Sequence, residues 1–449
     1  MNLLIAGGDV EVRVAGDHVV AVGERLARRT GEESLEATGG TVIPGLHDHH
    51  LHLHALAAAR ASVRLDTVRP LAIQLREAAP RPDGWVRAVG YHESMAGLLD
   101  AAALDAVVAD RPVRVQHRGG SLWILNTAAL QAVDAAHQSH VGIERDAHGR
   151  PTGRLWRADD WLRRLLPAAE ADLTAVGREL ASLGVTGATD ADPERAPGSL
   201  DHLRALPQRV HVMGPLGLAV GDGNRLTVGP VKVLLDDTAL PGLDELTTVV
   251  TAAHDSGRPI AVHCVTRAQL LLTLAALDAG GTVPGDRIEH ASVVPTESIA
   301  DIRRLGAVVV TQPNFVTERG DEYLAAVEPD DIPHLYRCAT LLAAGIPVAA
   351  GTDAPFGRPD PWAAMRAAVH RRAASGAALG AGEAVPPRRA LELFLGRPSA
   401  PAAPRVLAPG RPADLCVLRA PLRAALNELD ADLVAATVIG GEVVHCAPA

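Results

Sequence analysis

Pro44-Gly-Leu-His-Asp-His-His-Leu-His-Leu-His54 puts five histidines within eight residues, directly after an apolar run. On an extended strand, residues i and i+2 point the same way. His50 and His52 therefore set their imidazoles side by side, as His52 and His54 can, and Asp48 shares the His50 face, where it can orient a ligand from behind. Neutral imidazole nitrogen is the usual ligand for zinc and similar borderline metals. A surface histidine cluster is the plain alternative, but such clusters lack an apolar run and a Pro-Gly lead-in. The stretch reads as a strand that ends in a metal site.

Outward from it, short apolar runs alternate with helical stretches. Strand candidates are Thr41–Leu46, Val185–Thr189, Val210–Met213, Val231–Leu235, Ile260–His263, Arg287–Glu289, Ala307–Thr311 and Val348–Ala350. Helical stretches such as Leu243–His254 and Ala268–Ala279 separate most of them. Eight strands with intervening helices predict a closed parallel barrel. The interval from about 60 to 175 is too long for one crossover and carries its own strand-like pieces, Trp85–Val89 and Val113–Gln116, so it reads as an insertion covering the barrel mouth. Both ends of the chain are strand-rich: Glu11–Val14 and His18–Val22 at one, Asp414–Leu418 and Val438–Val444 with a Gly440-Gly441 turn at the other. They suggest one small β-domain built from both termini. The Pro- and Ala-rich 395–409 reads as a linker.

Three further candidates follow predicted strands: His263, His290 and Asp353. In a (β/α)8 barrel the C-terminal strand ends meet at one mouth, where the chemistry sits. The chain also contains a single lysine, Lys232, against 43 Lys and Arg in total. A lysine amine loses its proton when its surroundings lower its pKa, whereas guanidinium stays charged. A neutral amine can add to CO2 and become a carbamate able to bridge two cations. Lys232 fits least well, because the predicted fourth strand begins beside it. Taken together, His50, His52 and Asp353 would hold one divalent ion and His263 and His290 another, with carboxylated Lys232 giving an oxygen to each. Such a centre lowers the pKa of water to give a hydroxide nucleophile and polarises a carbonyl, and Asp353 would move the proton as general base and then acid.

Composition narrows the partners. The net charge of -10 argues against nucleic acid and anionic membranes, leaving a small-molecule substrate. The four cysteines, Cys264, Cys338, Cys416 and Cys446, have no metal-ligand spacing and suit a reducing cytoplasm. No basic leader or long apolar run opens the chain. Oligomeric state stays open, a homodimer included.

The chain resembles the amidohydrolase superfamily, and within it amidohydrolase family 3, the YtcJ-like group. Pro44-Gly-Leu-His-Asp-His-His-Leu-His52 matches that group's P-G-x-x-D-x-H-x-H. Val231-Lys-Val-Leu-Leu-Asp236, Ala261-Val-His263, Arg287-Ile-Glu-His290, Thr311-Gln-Pro-Asn314, Gly351-Thr-Asp-Ala-Pro355, Asp360-Pro-Trp362 and Gly410-Arg-Pro-Ala-Asp-Leu415 follow in family order. The resemblance implies an α/β fold: a (β/α)8 TIM barrel over 43–404, a β-sandwich from 1–42 and 405–449, and an insertion after barrel strand 1. It also implies a metal-dependent hydrolase. One departure stands out. Where the group commonly has Asp-Gly-His ahead of Asn-x-x-Ala-Leu, this chain has Gly119 and Ser121 before Asn126-Thr-Ala-Ala-Leu130. If that loop touches substrate, the substrate differs from the group's usual ones. Tyr91, His92, Arg118, Ser121 and Gln312 are the candidate substrate contacts.

The expected activity is cleavage of a C–N bond in an amide, N-acyl amine or formamide by a binuclear centre, most simply zinc, on an N6-carboxylated lysine. A deaminase or cyclic-amide hydrolase on the same barrel is the rival; a deaminase more often uses one metal and needs no bridging lysine, so Lys232 speaks against it. A metal-binding protein without catalysis is the rival of another class, disfavoured by a general base beside an open metal position.

Overall fold

Gly45 divides what the sequence reads as one strand. Thr41–Pro44 pairs antiparallel with Leu415–Leu418, whereas Leu46–Leu51 pairs parallel with Val185–Asp190. The chain thus leaves one sheet and enters another at a residue with no side chain. A Cβ at Gly45 would lie 2.1 Å from Thr186 Cγ2, so the crossing is too tight for any other residue. The first barrel strand is therefore the histidine run itself, not the apolar run before it.

The computed structural model describes residues 2–66, 68–166, 172–195, 198–221, 223 and 225–448, the side chain of Asp160 excepted. Eight parallel strands form the central sheet in chain order: Leu46–Leu51, Val185–Asp190, Arg209–Gly214, Leu226–Val233, Ile260–Cys264, Arg287–His290, Val308–Thr311 and Val348–Ala350. The fold is a (β/α)8 TIM barrel. The fourth strand starts earlier than predicted, at Leu226, because it runs through Gly229 and Pro230 with a register shift against its neighbour. Lys232 is thereby moved from the beginning of the strand to its C-terminal end.

Strands 8 and 1 close the barrel through the residues just beyond them. Asp353 N donates to His50 O at 2.7 Å and His52 N to Ala354 O at 2.8 Å. Lower down, Leu393 and Phe394 fill the seam, their carbonyls accepting from Ala350 N at 3.0 Å and His47 N at 2.8 Å.

Two four-stranded sheets flank this barrel within the same unit. One is His18–Gly23, Glu11–Ala15, Asn2–Ala6 and Glu33–Glu36; the other is Glu442–Cys446, Val434–Ile439, Leu415–Leu418 and Thr41–Pro44. Leu3, Ile5, Val12 and Val14 from the first pack with Val42, Leu415, Val417 and Val438 from the second in one buried cluster. The 395–409 stretch is more than a linker: Gly396–Arg397 and Ala400–Pro404 pair as a small hairpin.

Residues 54–172 form a second compact unit. Its six-stranded sheet runs in the order Ile143–Arg145, Pro151–Trp156, Leu122–Leu125, Val113–His117, Val86–Tyr91, Val63–Arg64. Its core is aliphatic around Leu75, Val86 and Val113, with a second cluster built on Trp85, Trp123 and Trp161. Among the described residues no helix is long and apolar enough to cross a membrane.

The closing seam has no spare room. A Cβ on Gly351 would fall 2.4 Å from His50 N and 2.6 Å from His50 Cβ. Backbone cannot swing away as a side chain can. Gly351→Ala is expected to lower the unfolding free energy by about 1–3 kcal/mol, measured by denaturant titration. It should also weaken metal binding, because His50 moves with the seam.

Candidate metal centre

The first strand does not alternate simply. Asp48 lies opposite Ala188 and Leu51 opposite Asp190, so one extra residue is inserted between them on the first strand. The bulge resets the alternation. His47 and His49 share one side, with ring centroids 4.5 Å apart, and His50 and His52 share one side at 5.5 Å. Asp48 is not on the His50 face. Its Oδ1 accepts from His50 N at 3.1 Å and Thr352 N at 3.0 Å, and its Oδ2 from Thr352 Oγ1 at 2.5 Å. It fastens the backbone of strand 1 to the loop that carries Asp353, and burial pushes its carboxyl up to about 7. A helix begins at Leu53, so the strand argument that paired His52 with His54 ends there.

The six expected ligands meet at the C-terminal end of the barrel. His50 Nε2 lies 3.6 Å and His52 Nε2 3.3 Å from Asp353 Oδ1. One donor atom from each of these three lies within 4.8 Å of the others. The His290 ring is 4.6 Å from His50 and 4.5 Å from His263, centroid to centroid. Lys232 is buried, and its charge bears on His50, His263 and Glu289. His290 and Asp353 adopt left-handed backbone at φ 68° and 55°. Side chains other than glycine pay for that conformation, and such strain collects at functional sites. At His290 it has a geometric use. Glu289 pairs with inward-facing His263, so regular alternation would turn His290 away, and the left-handed turn brings its ring back.

Three of the imidazoles are held from behind. His50 Nδ1 bonds Glu289 Oε2, His52 Nδ1 bonds Asp192 Oδ1 at 2.6 Å, and His290 Nδ1 bonds Gln312 Oε1 at 2.8 Å. Each partner is an oxygen acceptor, so each Nδ1 carries a proton; Nε2 of His50 and His290 presents a lone pair, as metal-ligating histidines do, and Nε2 of His52 does so once its second proton is lost. Asp192 is itself 3.7 Å from Arg195, which also bonds Asp190 at 2.5 Å. Glu289 and Asp192 escaped the sequence reading. Asp192 carried a usable signal, an acid just past a strand end; Glu289 did not, since it is called inward only by its cross-strand register.

Electrostatics agree with an ionised pair at the mouth. Burial alone would raise Asp353, but the charge of His52, 3.3 Å away, and the nearby imidazoles hold its carboxyl far below the usual range. Burial would lower His52, yet Asp192 and Asp353 raise it to about 10. Burial pushes the Lys232 amine down, opposed by Glu289 and Asp353. Burial also takes His263 down to about 3 and His290 well below its ordinary value.

These groups fit divalent cations. His50 Nε2, Lys232 Nζ, Glu289 Oε1 and Asp353 Oδ1 are all buried without a hydrogen-bond partner. Buried polar atoms are almost always paired, so four orphans in one place ask for a ligand that coordinates them.

The expected substrate contacts are placed differently. Gln312 is fully buried and its Oε1 holds His290, so it positions a ring rather than facing a pocket. Tyr91 belongs to the core of the insertion, and its hydroxyl donates to Gly97 O. The main chains of Arg118 and Ser121 are tied down within the insertion, Arg118 N donating to Tyr91 O at 2.8 Å and Ser121 O accepting from Arg157 N at 2.7 Å. His92, Glu93 and His117 form another compact group there, with donor atoms within 4.8 Å. Their tautomers are the opposite of those at the barrel mouth. His92 Nδ1 accepts from Ser94 N at 3.2 Å and His117 Nδ1 from Gly119 N at 3.0 Å, which puts the protons on Nε2, facing Glu93. That set is a hydrogen-bonded clasp, not a prepared cation site.

Comparison with known proteins agrees with this geometry. Residues 33–445 match the model of the amidohydrolase family. The N-substituted formamide deformylase of Arthrobacter pascens is 27% identical over 498 aligned positions, covering 94% of this chain and 90% of that one. A metal-dependent hydrolase from Pyrococcus horikoshii OT3 superposes with a TM-score of 0.75 at 20% identity, over 93% of this chain and 97% of that one. The zinc-complexed atrazine chlorohydrolase TrzN of Arthrobacter aurescens TC1 gives a TM-score of 0.56 at 16% identity, over 98% and 94%.

In the metal-free protein His52 keeps its proton up to a pH of about 10. A cation reaches Nε2 only by displacing it, so proton competition falls as pH rises. Apparent metal affinity is expected to increase from about pH 6 to 9 with proton release, read by chelator competition at several pH values; a flat profile would remove His52 from the ligand set. Asp192→Asn should weaken metal binding about 10–100-fold in the same assay.

Proposed function

The chain belongs to the amidohydrolase family and is a hydrolase; from that premise we propose that it cleaves the C–N bond of an amide, N-acyl amine or formamide at a binuclear centre. The observation that carries this reading is the buried, unpartnered Lys232 amine among imidazole nitrogens and Asp353 Oδ1. A neutral amine in that place adds to CO2, forming an N–C bond and releasing a proton. The resulting carboxylate would have one oxygen to offer each of two ions. His50, His52 and Asp353 would complete one site, His263 and His290 the other. Zinc is the proposed ion, since imidazole and carboxylate sets suit it. When bound, the ions supply Lewis acidity that lowers the pKa of water and polarises a carbonyl.

The chain's own groups do the rest. Asp353, held ionised, accepts the proton of the attacking water and returns it to the departing nitrogen. Glu289, Asp192 and Gln312 keep three rings from rotating. The name of the Arthrobacter pascens relative supports the formamide arm of the proposal. Three of the four free thiols are buried, which suits a reducing cytoplasm.

Lys232→Arg retains a positive charge but not the amine chemistry. It should bind about one ion per chain instead of two by metal analysis, and lose turnover. Full metal content with unchanged turnover would end the lysine argument. Asp353→Asn keeps an oxygen ligand without a base, and kcat should fall about 10²–10⁴-fold with most of the metal retained.

A further inference from the structure

Below the metal ligands the barrel interior holds a second polar layer with no role in the reaction above. His47, His49 and Arg287 are at most 1% exposed and His211 is 7% exposed. Arg287 shares a strand face with Glu289, two residues on, and so points into the barrel. His49 and Arg287 meet the same hairpin. A Cβ at Gly396 would lie 2.8 Å from His49 Nε2, and Arg287 Nη2 donates to Pro398 O at 2.5 Å. His47 stands beside His49, its Nε2 2.9 Å from Thr189 Oγ1, and Thr189 pairs across the strands with His211. The layer fits tightly against glycines: a Cβ on Gly187 would come within 2.5 Å of His47 Nδ1, and one on Gly229 within 3.2 Å of His211 Nε2.

What Arg287 and His49 lack in this layer is an acceptor for their remaining N–H groups. Arg287 Nε and Nη1 and both ring nitrogens of His49 are buried without hydrogen-bond partners. Guanidinium has donors only and keeps its charge. Arg287 forms no ion pair among the described residues, and the carboxylate two residues along its strand, Glu289, already bonds His50. Water would satisfy the donors yet leave the positive charge uncompensated in a closed interior, where an unpaired charge is costly.

We propose that this layer binds one small monovalent anion of halide type, held by Arg287 with a ring N–H of His49, between the metal ligands and the Gly396–Pro404 hairpin. The anion accepts from Arg287 and from the one N–H of His49 and offsets the guanidinium, and it leaves Glu289 to its task at His50. The site is independent of the metal reading: it uses none of the six ligands, and its test runs on metal-loaded and metal-depleted protein alike.

Crystals soaked in sodium bromide should give an anomalous peak within hydrogen-bond reach of Arg287 and His49. In solution, the melting temperature should be higher in sodium chloride than in sodium gluconate at equal ionic strength, because gluconate is too large to enter. Arg287→Met should abolish that difference, and His49→Phe should raise the bromide concentration needed for half-occupancy at least tenfold. A bromide map with peaks only at the surface, or a wild-type melting temperature equal in the two salts, would overturn the proposal. Both readings use the unmutated chain, so a variant that fails to fold does not protect it.

Discussion

Burying an ammonium without giving it a hydrogen bond costs several kcal/mol, and the mouth of this barrel buries the Lys232 amine with no such bond. Burial therefore pushes that amine towards its neutral form. Its neighbours are consistent with a different species. The inward-facing Nε2 atoms of His50 and His290 are acceptors, yet none is hydrogen-bonded to the Lys232 amine, and Asp353 is already engaged by His52. On the proposed reading, with the amine carboxylated and cations among the lone pairs, the orphaned acceptors would be coordinated and the negative charges of Glu289, Asp192 and Asp353 would be balanced. Stability and activity would then depend on the same exchange of a proton for a metal, as expected where binding couples to ionisation.

A single bulge allows one strand to serve two layers. With strict alternation His49 and His50 would face opposite sides, and one would be lost to the helices. The extra residue between Asp48 and Leu51 turns both inward, His50 towards Glu289 and His49 towards the Gly396 hairpin. Asp48 then points the other way and ties strand 1 to Thr352. The seam that closes the barrel is therefore the seam that sets the distance between His50 and Asp353. Packing and chemistry share one set of backbone hydrogen bonds here, which explains why no side chain larger than hydrogen fits at position 351.

The barrel was legible because its strands are short, apolar and evenly punctuated; Val348–Ala350 is bounded as the pattern predicts, and most of the others shift by one or two residues at an end. The metal-competent groups were legible for a related reason: a histidine or aspartate at the end of such a run is visible whatever the packing. Errors arose where tertiary structure overrides period. Gly45 moves Thr41–Pro44 into another sheet, and Pro230 conceals the first half of strand 4. The groups behind the ligands were mostly illegible. Whether Glu289 or His290 faces inward depends on cross-strand register and on a left-handed turn, neither of which has a one-dimensional signature. Gln312 was visible only as part of a motif, and its task, holding His290, emerges from contact.

Proximity of histidines and carboxylates does not by itself identify a metal centre, and this chain supplies its own control. His50, His52 and Asp353 and the group His92, Glu93 and His117 both bring three donor atoms within 4.8 Å. What separates them is the atom facing Nδ1. At the barrel mouth it is an oxygen acceptor, which fixes the proton on the far side and frees Nε2. In the insertion it is a backbone N–H, which takes the Nδ1 lone pair and leaves Nε2 as a donor facing Glu93, bonded to it at His117. Binding a cation at the second group would require each ring to change tautomer and break a backbone hydrogen bond. At the first it requires only that His52 give up a proton. The direction of one hydrogen bond, more than the number of ligands, decides which cluster is prepared to receive a cation.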